Sequence, residues 1–171
     1  GVTLAVARDT AAFLPSIYDY YADLADTFPF IEHHAANDGG VGLLVRESVG
    51  VVGIIIPWNA APFLLSYKLA PALLAGCTVV IKPSPEAPVA AYVIAEIAEA
   101  IGLPPGVINV VTADRRAAEA LVRNPGIDKV SFTGSSVVGR HIASICGDRL
   151  ARYTLELGGK SPAVVLADCD L

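Results

Sequence analysis

Four short clusters place reactive or hydrogen-bonding side chains beside glycine or proline punctuation: Pro57-Trp58-Asn59, Lys82-Pro83-Ser84, Thr133-Gly134-Ser135 and Glu156-Leu157-Gly158-Gly159. Asn59 directly follows a β-branched run. At the carboxyl end of a buried strand, where open α/β sheets place their ligands, it can meet a ligand, or it can cap the helix that begins near Pro62. Gly134-Ser135 separates a short apolar strand from Val138, Ile142 and Ile145, which recur at helical spacing. The free N–H groups and dipole of a new helix favour a phosphate, although the three glycines of a dinucleotide fingerprint and the Gly-Lys-Ser/Thr of a Walker loop are both missing. An ordinary structural turn has the same pattern. Glu156 is a lone carboxylate within an apolar strand, ahead of a Gly-Gly hinge. Buried, it is tuned for general-base work near neutral pH; on an edge strand it simply faces water.

These clusters depend on the elements that carry them. Apolar steps at Phe13, Ile17, Tyr20, Tyr21, Leu24 and Phe28 predict an amphipathic helix with Pro15 in its first turn, ended by Pro29. His33-His34 lie in a polar stretch with no carboxylate or cysteine pattern for metal binding, and read as surface residues. Residues 43–48 and 51–56 read as strands, the second continuous enough in apolar character to be buried on both faces. Further strands follow at 78–81, 107–111, 128–132, 153–157 and 163–166. Between them run helices near 62–74, 89–101, 114–123 and 136–147. This alternation predicts an α/β fold: a doubly wound, mostly parallel, Rossmann-like sheet with helices on both faces. Asn59, Lys82 and Gly134-Ser135 each follow a strand directly, so they are expected along one crevice.

Composition narrows the partners. The chain has 171 residues, 54% hydrophobic and 17% charged, enough to bury one core. A net charge of -5 disfavours nucleic acids and anionic membranes. Residues 49–67 are uncharged, yet Pro57, Asn59 and Pro62 break any membrane span. Cys77, Cys146 and Cys169 are odd in number and widely spaced, as expected for buried thiols of a reducing, cytoplasmic compartment.

Pro57-Trp58-Asn59, Ile81-Lys82-Pro83-Ser84, Phe132-Thr133-Gly134-Ser135-x-x-x-Gly139 and Leu155-Glu156-Leu157-Gly158-Gly159-Lys160-Ser161-Pro162 resemble, in this order, the motifs of the NAD(P)-dependent aldehyde dehydrogenase family. The resemblance covers nearly the whole chain. It implies that Asn59 helps form an oxyanion hole, that Glu156 is the general base, and that Lys82 holds the adenosine ribose. It also implies cofactor contacts at Pro57, Trp58, Ser84, Gly134, Leu157 and Gly158, a phosphate contact at Ser135 and an adenine contact at Val138. The implied reaction oxidises an aldehyde to a carboxylic acid through a cysteine thiohemiacetal and thioester. None of Cys77, Cys146 and Cys169 matches the nucleophile, so the expectation is a partial NAD(P)-binding domain over residues 1–171, cut at both ends and inactive alone. The alternative is a non-catalytic dinucleotide-binding module or a fold remnant. Pro85 stands where NAD-preferring members often carry a ribose-binding Glu, with Glu86 one place later, which leaves NAD or NADP open. Residues 40–48 resemble part of the family's oligomerisation strands and imply a homo-oligomer.

Overall fold

The computed structural model describes residues 2–170. Helix α1 (Leu4–Thr27) is capped by Thr3, whose hydroxyl accepts the Val6 N–H at 3.4 Å. It begins nine residues before the apolar stripe that announces it, so Pro15 lies inside the helix and not in its first turn. Leu4 and Val6 are exposed. The first turns therefore form on Ala, Leu and Arg propensity, with no stripe to reveal them. Strands β1 (Ile31–Ala35) and β2 (Val41–Val45) pair antiparallel as an isolated two-stranded ribbon. His33 and His34 thus belong to a strand, and both are exposed.

Strand β3 (Val51–Ile55), helix α2 (Ala61–Leu74), β4 (Thr78–Lys82), α3 (Val89–Ala100) and β5 (Ile108–Val110) wind in one direction across a sheet. The chain then returns. Helix α4 (Arg115–Arg123) leads to β6 (Lys129–Gly134) on the other side of β3, and α5 (Ser136–Asp148) leads to β7 (Arg152–Leu157). The sheet order is β5-β4-β3-β6-β7, with every neighbouring pair parallel. Helices α2 and α3 cover one face through Leu65, Leu69 and Ala91 against Ile54, Val79 and Ile81. Helices α4 and α5 cover the other through Val122, Ile142 and Ile145 against Ile55, Val130 and Phe132. The central strand reads as an unbroken apolar run because both of its faces meet helices. The expected α/β, doubly wound, Rossmann-like sheet is the fold.

The seam between β3 and β6 is tied at its start by Asp128, whose carboxylate accepts the Val51 N–H at 2.7 Å. Residues 163–166 form no strand. Val164, Val165 and Leu166 are 79%, 63% and 65% exposed and pair with no strand among the described residues, so their apolar run has no ladder to join. Cys169 is exposed rather than buried, whereas Cys77 and Cys146 are buried as expected.

Candidate functional site

The carboxyl ends of four strands lie side by side. Lys82 is the lateral partner of Ile55, Ile55 of Phe132 and Phe132 of Leu155. The chain reverses its winding direction between β3 and β6, and at such a switch point the departing loops diverge and open a crevice. Pro57, Trp58 and Asn59 leave β3; Lys82 and Ser84 lie at and beyond the end of β4; Gly134 and Ser135 leave β6; Leu157 and Gly158 leave β7. All the candidate clusters therefore share one edge.

Asn59 is exposed and does not cap α2. The cap position is Ala60 in the left-handed region, at φ 49°, with no side-chain hydrogen bond. A strained backbone with an uncommitted amide beside it leaves the Asn59 donor free for a ligand. Trp58 next to it is 59% exposed. Across the seam, Ser135 caps α5, its hydroxyl accepting the Val138 N–H at 3.3 Å. The N–H groups of Ser136 and Val137 stay unused by the helix and point past its start, which is the arrangement that attracts a phosphate. Gly134 and Gly139 are required by close approach. A Cβ on Gly134 would lie 2.5 Å from the Phe132 ring, and one on Gly139 would lie 2.4 Å from the Leu157 side chain. Leu157 thus supports α5 from below, while Gly158 beyond it stands in open space.

Lys82 is buried, and its Nζ donates to the Pro83 carbonyl at 3.0 Å. Burial pushes its pKa down, opposed by the charges of Glu86 and Asp114. Ser84 donates its hydroxyl to the Glu86 carboxylate, and that bond holds Glu86 below the ordinary carboxylate range.

Glu156 is exposed. Strand β7 is an edge strand, so the buried environment considered for this carboxylate is not present among the described residues. Leu155 and Leu157 pack toward α5, which puts Glu156 on the opposite face of the sheet. There it acts on Lys68, a residue that the motifs did not single out. Lys68 is half-buried, and its Nζ donates to Ser131 Oγ at 3.1 Å. Burial lowers its pKa, the Glu156 charge raises it and Lys129 lowers it. A signal existed: Lys68 is the lone charge in the fourteen residues of α2.

Between α4 and α5 lies a cleft of about 540 Å³, floored by Ile55 and Phe132 and walled by Ala118, Val122, Val138 and Ile142. That size falls within the roughly 300–1,000 Å³ of small-molecule sites. Its rim is charged. Arg115 and Arg116 border it, and Glu119 on α4 meets His141 on α5 at 2.8 Å while also pairing with Arg123 at 2.6 Å. Burial pushes the Glu119 carboxyl up, but the hydrogen bonds from His141 and Arg123 outweigh it and hold the group below its ordinary value. Of the residues lining this cleft, only Val138 had been given a cofactor contact, as the family resemblance implied. Arg115, Arg116 and Glu119 sit within a short polar helix and carry no motif. An apolar slot leading to a capped helix start can hold a flat heterocycle with a phosphate attached.

The sequence matches the aldehyde dehydrogenase family over residues 1–171. The chain belongs to this family. It is 52% identical over 161 residues to a geranial dehydrogenase of Castellaniella defragrans, covering 94% of this chain and 34% of that protein. It is 39% identical to the NADP(+) succinate-semialdehyde dehydrogenase 1 of Schizosaccharomyces pombe, with 100% of this chain and 35% of that protein covered. The crystal structure of the Mycobacterium tuberculosis aldehyde dehydrogenase with NAD+ superposes with a TM-score of 0.82 at 46% identity, covering 90% of this chain and 32% of that one. The chain spans about a third of the length of these family members. Among its described residues no helix is long and apolar enough to cross a membrane.

Proposed function

We propose that this chain is the dinucleotide-holding part of an NAD(P)-dependent aldehyde dehydrogenase, and that the whole protein oxidises an aldehyde to a carboxylic acid. The observation that carries the reading is the apolar cleft between α4 and α5, which shares a wall with the capped start of α5 at the β3/β6 switch point. The family members matched include one solved with NAD+ and one named for NADP(+), in keeping with either cofactor.

In this assignment Val138 faces the adenine, Lys82 reaches the ribose, and Ser135 with the N–H groups after it takes a phosphate. Pro57, Trp58, Ser84, Gly134, Leu157 and Gly158 line the path along the strand ends. When bound, the nicotinamide supplies the two-electron acceptor that aldehyde oxidation needs. Asn59 offers a neutral donor to the oxyanion of the substrate, a contact that strengthens as charge develops. Glu156, exposed and unpaired on its face of β7, accepts a proton from the water that attacks the thioester. The ribbon β1-β2 joins copies into a homo-oligomer.

The thiols of this chain do not supply the nucleophile. Cys77 and Cys146 are buried, and burial pushes the Cys146 thiol up, away from the reactive thiolate. Cys169 is exposed and lies beyond β7, in no strand of the sheet. These 171 residues therefore bind cofactor without turnover.

Trp58 is the single tryptophan and tests the binding claim. NADH and NADPH titrations are expected to quench its emission by energy transfer. No quenching by either at millimolar concentration, in a folded sample, defeats the reading. Reduced cofactor produced from an added aldehyde, and abolished by a thiol-blocking reagent, would defeat the claim of inactivity.

A further inference from the structure

We propose that Glu119 and His141 form a clasp that holds α4 against α5 at the width the cleft needs, and that a proton on His141 tightens it, so that the cleft grips its ligand harder as the pH falls from about 8 to about 5.5. The inference rests on the dinucleotide reading above and adds to it two positioning residues and a pH response.

The two walls of the cleft are anchored unequally. Helix α5 buries Gly139, Ile142, Ile145 and Cys146. Helix α4 has nine residues and buries Val122 alone. A helix that short has little stability of its own and depends on what it touches. Glu119 supplies a contact between the walls, and both it and His141 line the cleft. Its Oε2 meets His141 Nε2 at 2.8 Å, while its Oε1 accepts the Arg123 Nε–H at 2.6 Å along α4. The cleft has its volume of about 540 Å³ with this bridge made, so the bridge spaces the walls and does not plug them.

The bridge has two strengths. With a neutral imidazole, the Nε2–H donates to the carboxylate; with an imidazolium, the same contact becomes a charge-assisted bond, roughly twice as strong. Glu119 is an anion in both. Burial pushes its carboxyl up, but the hydrogen bonds from His141 and Arg123 hold it below its ordinary value. The groups around His141 leave Glu119 as its counter-charge. From α4 it is faced by Glu119, by Arg123, which is committed to the same carboxylate, and by Arg115 and Arg116 on the rim. Its own helix adds Arg140 and, two turns on, Asp148. Strands β6 and β7 turn Val130, Phe132, Leu155 and Leu157 toward α5 and put Lys129, Arg152 and Glu156 on the opposite face. Arg115, Arg116 and Arg140 oppose a second cation here, but they are exposed and screened by solvent, whereas Glu119 is in contact.

The test is calorimetric titration of this chain with NAD+, whose own charges do not change in this range, at stepped pH, with circular dichroism confirming the fold of every variant. Wild-type affinity is expected to rise about two- to fivefold from the alkaline to the acid end, the range of an exposed ion pair. H141R, a permanent cation, is expected to keep the acid-end affinity throughout and H141Q the alkaline-end affinity, with E119Q weaker and flat. His33 and His34 lie on β1 and are present in every variant, so their titration cancels. A wild-type affinity independent of pH, or a pH response that survives in H141Q, overturns the clasp while leaving the dinucleotide reading intact. Tighter binding by E119Q overturns it too, by making the bridge an obstruction. Hydrogen exchange without ligand is the second measurement. At one pH, the amides of α4 are expected to exchange faster in E119Q than in the wild type, and those of α2 equally; unchanged α4 rates overturn the clasp whether or not NAD+ binds. A folded chain that binds no NAD+ removes the dinucleotide reading, and this inference falls with it.

Discussion

Lys68 is the residue whose environment most clearly exceeds what packing requires. It holds an ammonium half-buried against Ser131, on the same face of the sheet as Glu156. Its pKa is lowered by burial, so the folded state releases this proton before the unfolded state does. In the window just below the ordinary lysine value the unfolded chain binds more protons, and stability must rise with pH. The prediction is a difference measurement. Denaturant unfolding at stepped alkaline pH should show wild-type stability climbing relative to Lys68→Met across that window; Lys82, lowered in the same sense, cancels because both proteins contain it. A pH-independent gap between the two proteins would refute the account. The strand-end placement of Asn59, Lys82 and Ser135 was legible from residue type and the apolar runs before them, whereas the roles proposed for them came from the family resemblance alone. The setting of Glu156 was not legible. Whether a strand lies at an edge depends on what pairs beside it, and an alternating stretch such as Tyr153-Thr154-Leu155 reads the same in either place.

Among the elements, the β1-β2 ribbon stands apart from the main sheet, and its face is unusually apolar. Val41, Leu43 and Val45 share one side of β2 and are 75%, 58% and 49% exposed, with Ile31 opposite Val45. Such a face with open strand edges invites pairing with another chain. The chain should sediment with a weight-average mass that rises with concentration, and V41K/L43K should return it to the monomer. A wild-type protein already monomeric at high concentration would count against the ribbon as an association surface. The element pattern was legible wherever a stripe or an unbroken apolar run met turn residues, which is the case from β3 to α5. It failed at three places for one reason. The start of α1, strand β1 and residues 163–166 were judged from local apolar content, yet the first forms by propensity without a stripe, the second is a polar segment that is a strand through its pairing with β2, and the third pairs with no strand among the described residues.

At the scale of the molecule, the decisive feature is the order of the strands. Parallel neighbours β3 and β6 are joined through Val51 and Asp128, residues 77 apart in the chain, so the seam is the longest-range join in the sheet. No local pattern in the sequence specifies it. The doubly wound class was legible from alternation alone, but which strands flank β3 follows from how two halves bury their remaining faces. A cofactor lying across the switch point would touch both halves, and ligand binding raises the free energy of any opening that breaks the site. Backbone amides of β6 are therefore expected to exchange with deuterium more slowly in the presence of NADH or NADPH, while those of β1 and β2 keep their rates. Uniform protection, or none in β6, would contradict a ligand at the seam.

The same seam has a consequence during synthesis. The ribosome delivers β3, α2, β4, α3 and β5 first, and these can assemble with each other as they emerge. Throughout that interval β3 has a partner on one side only, and an apolar strand destined for full burial waits with an open edge until β6 is made. The newborn chain is thus most exposed to misassociation after β5 and before β6, and chaperones would find their target in Val51–Ile55.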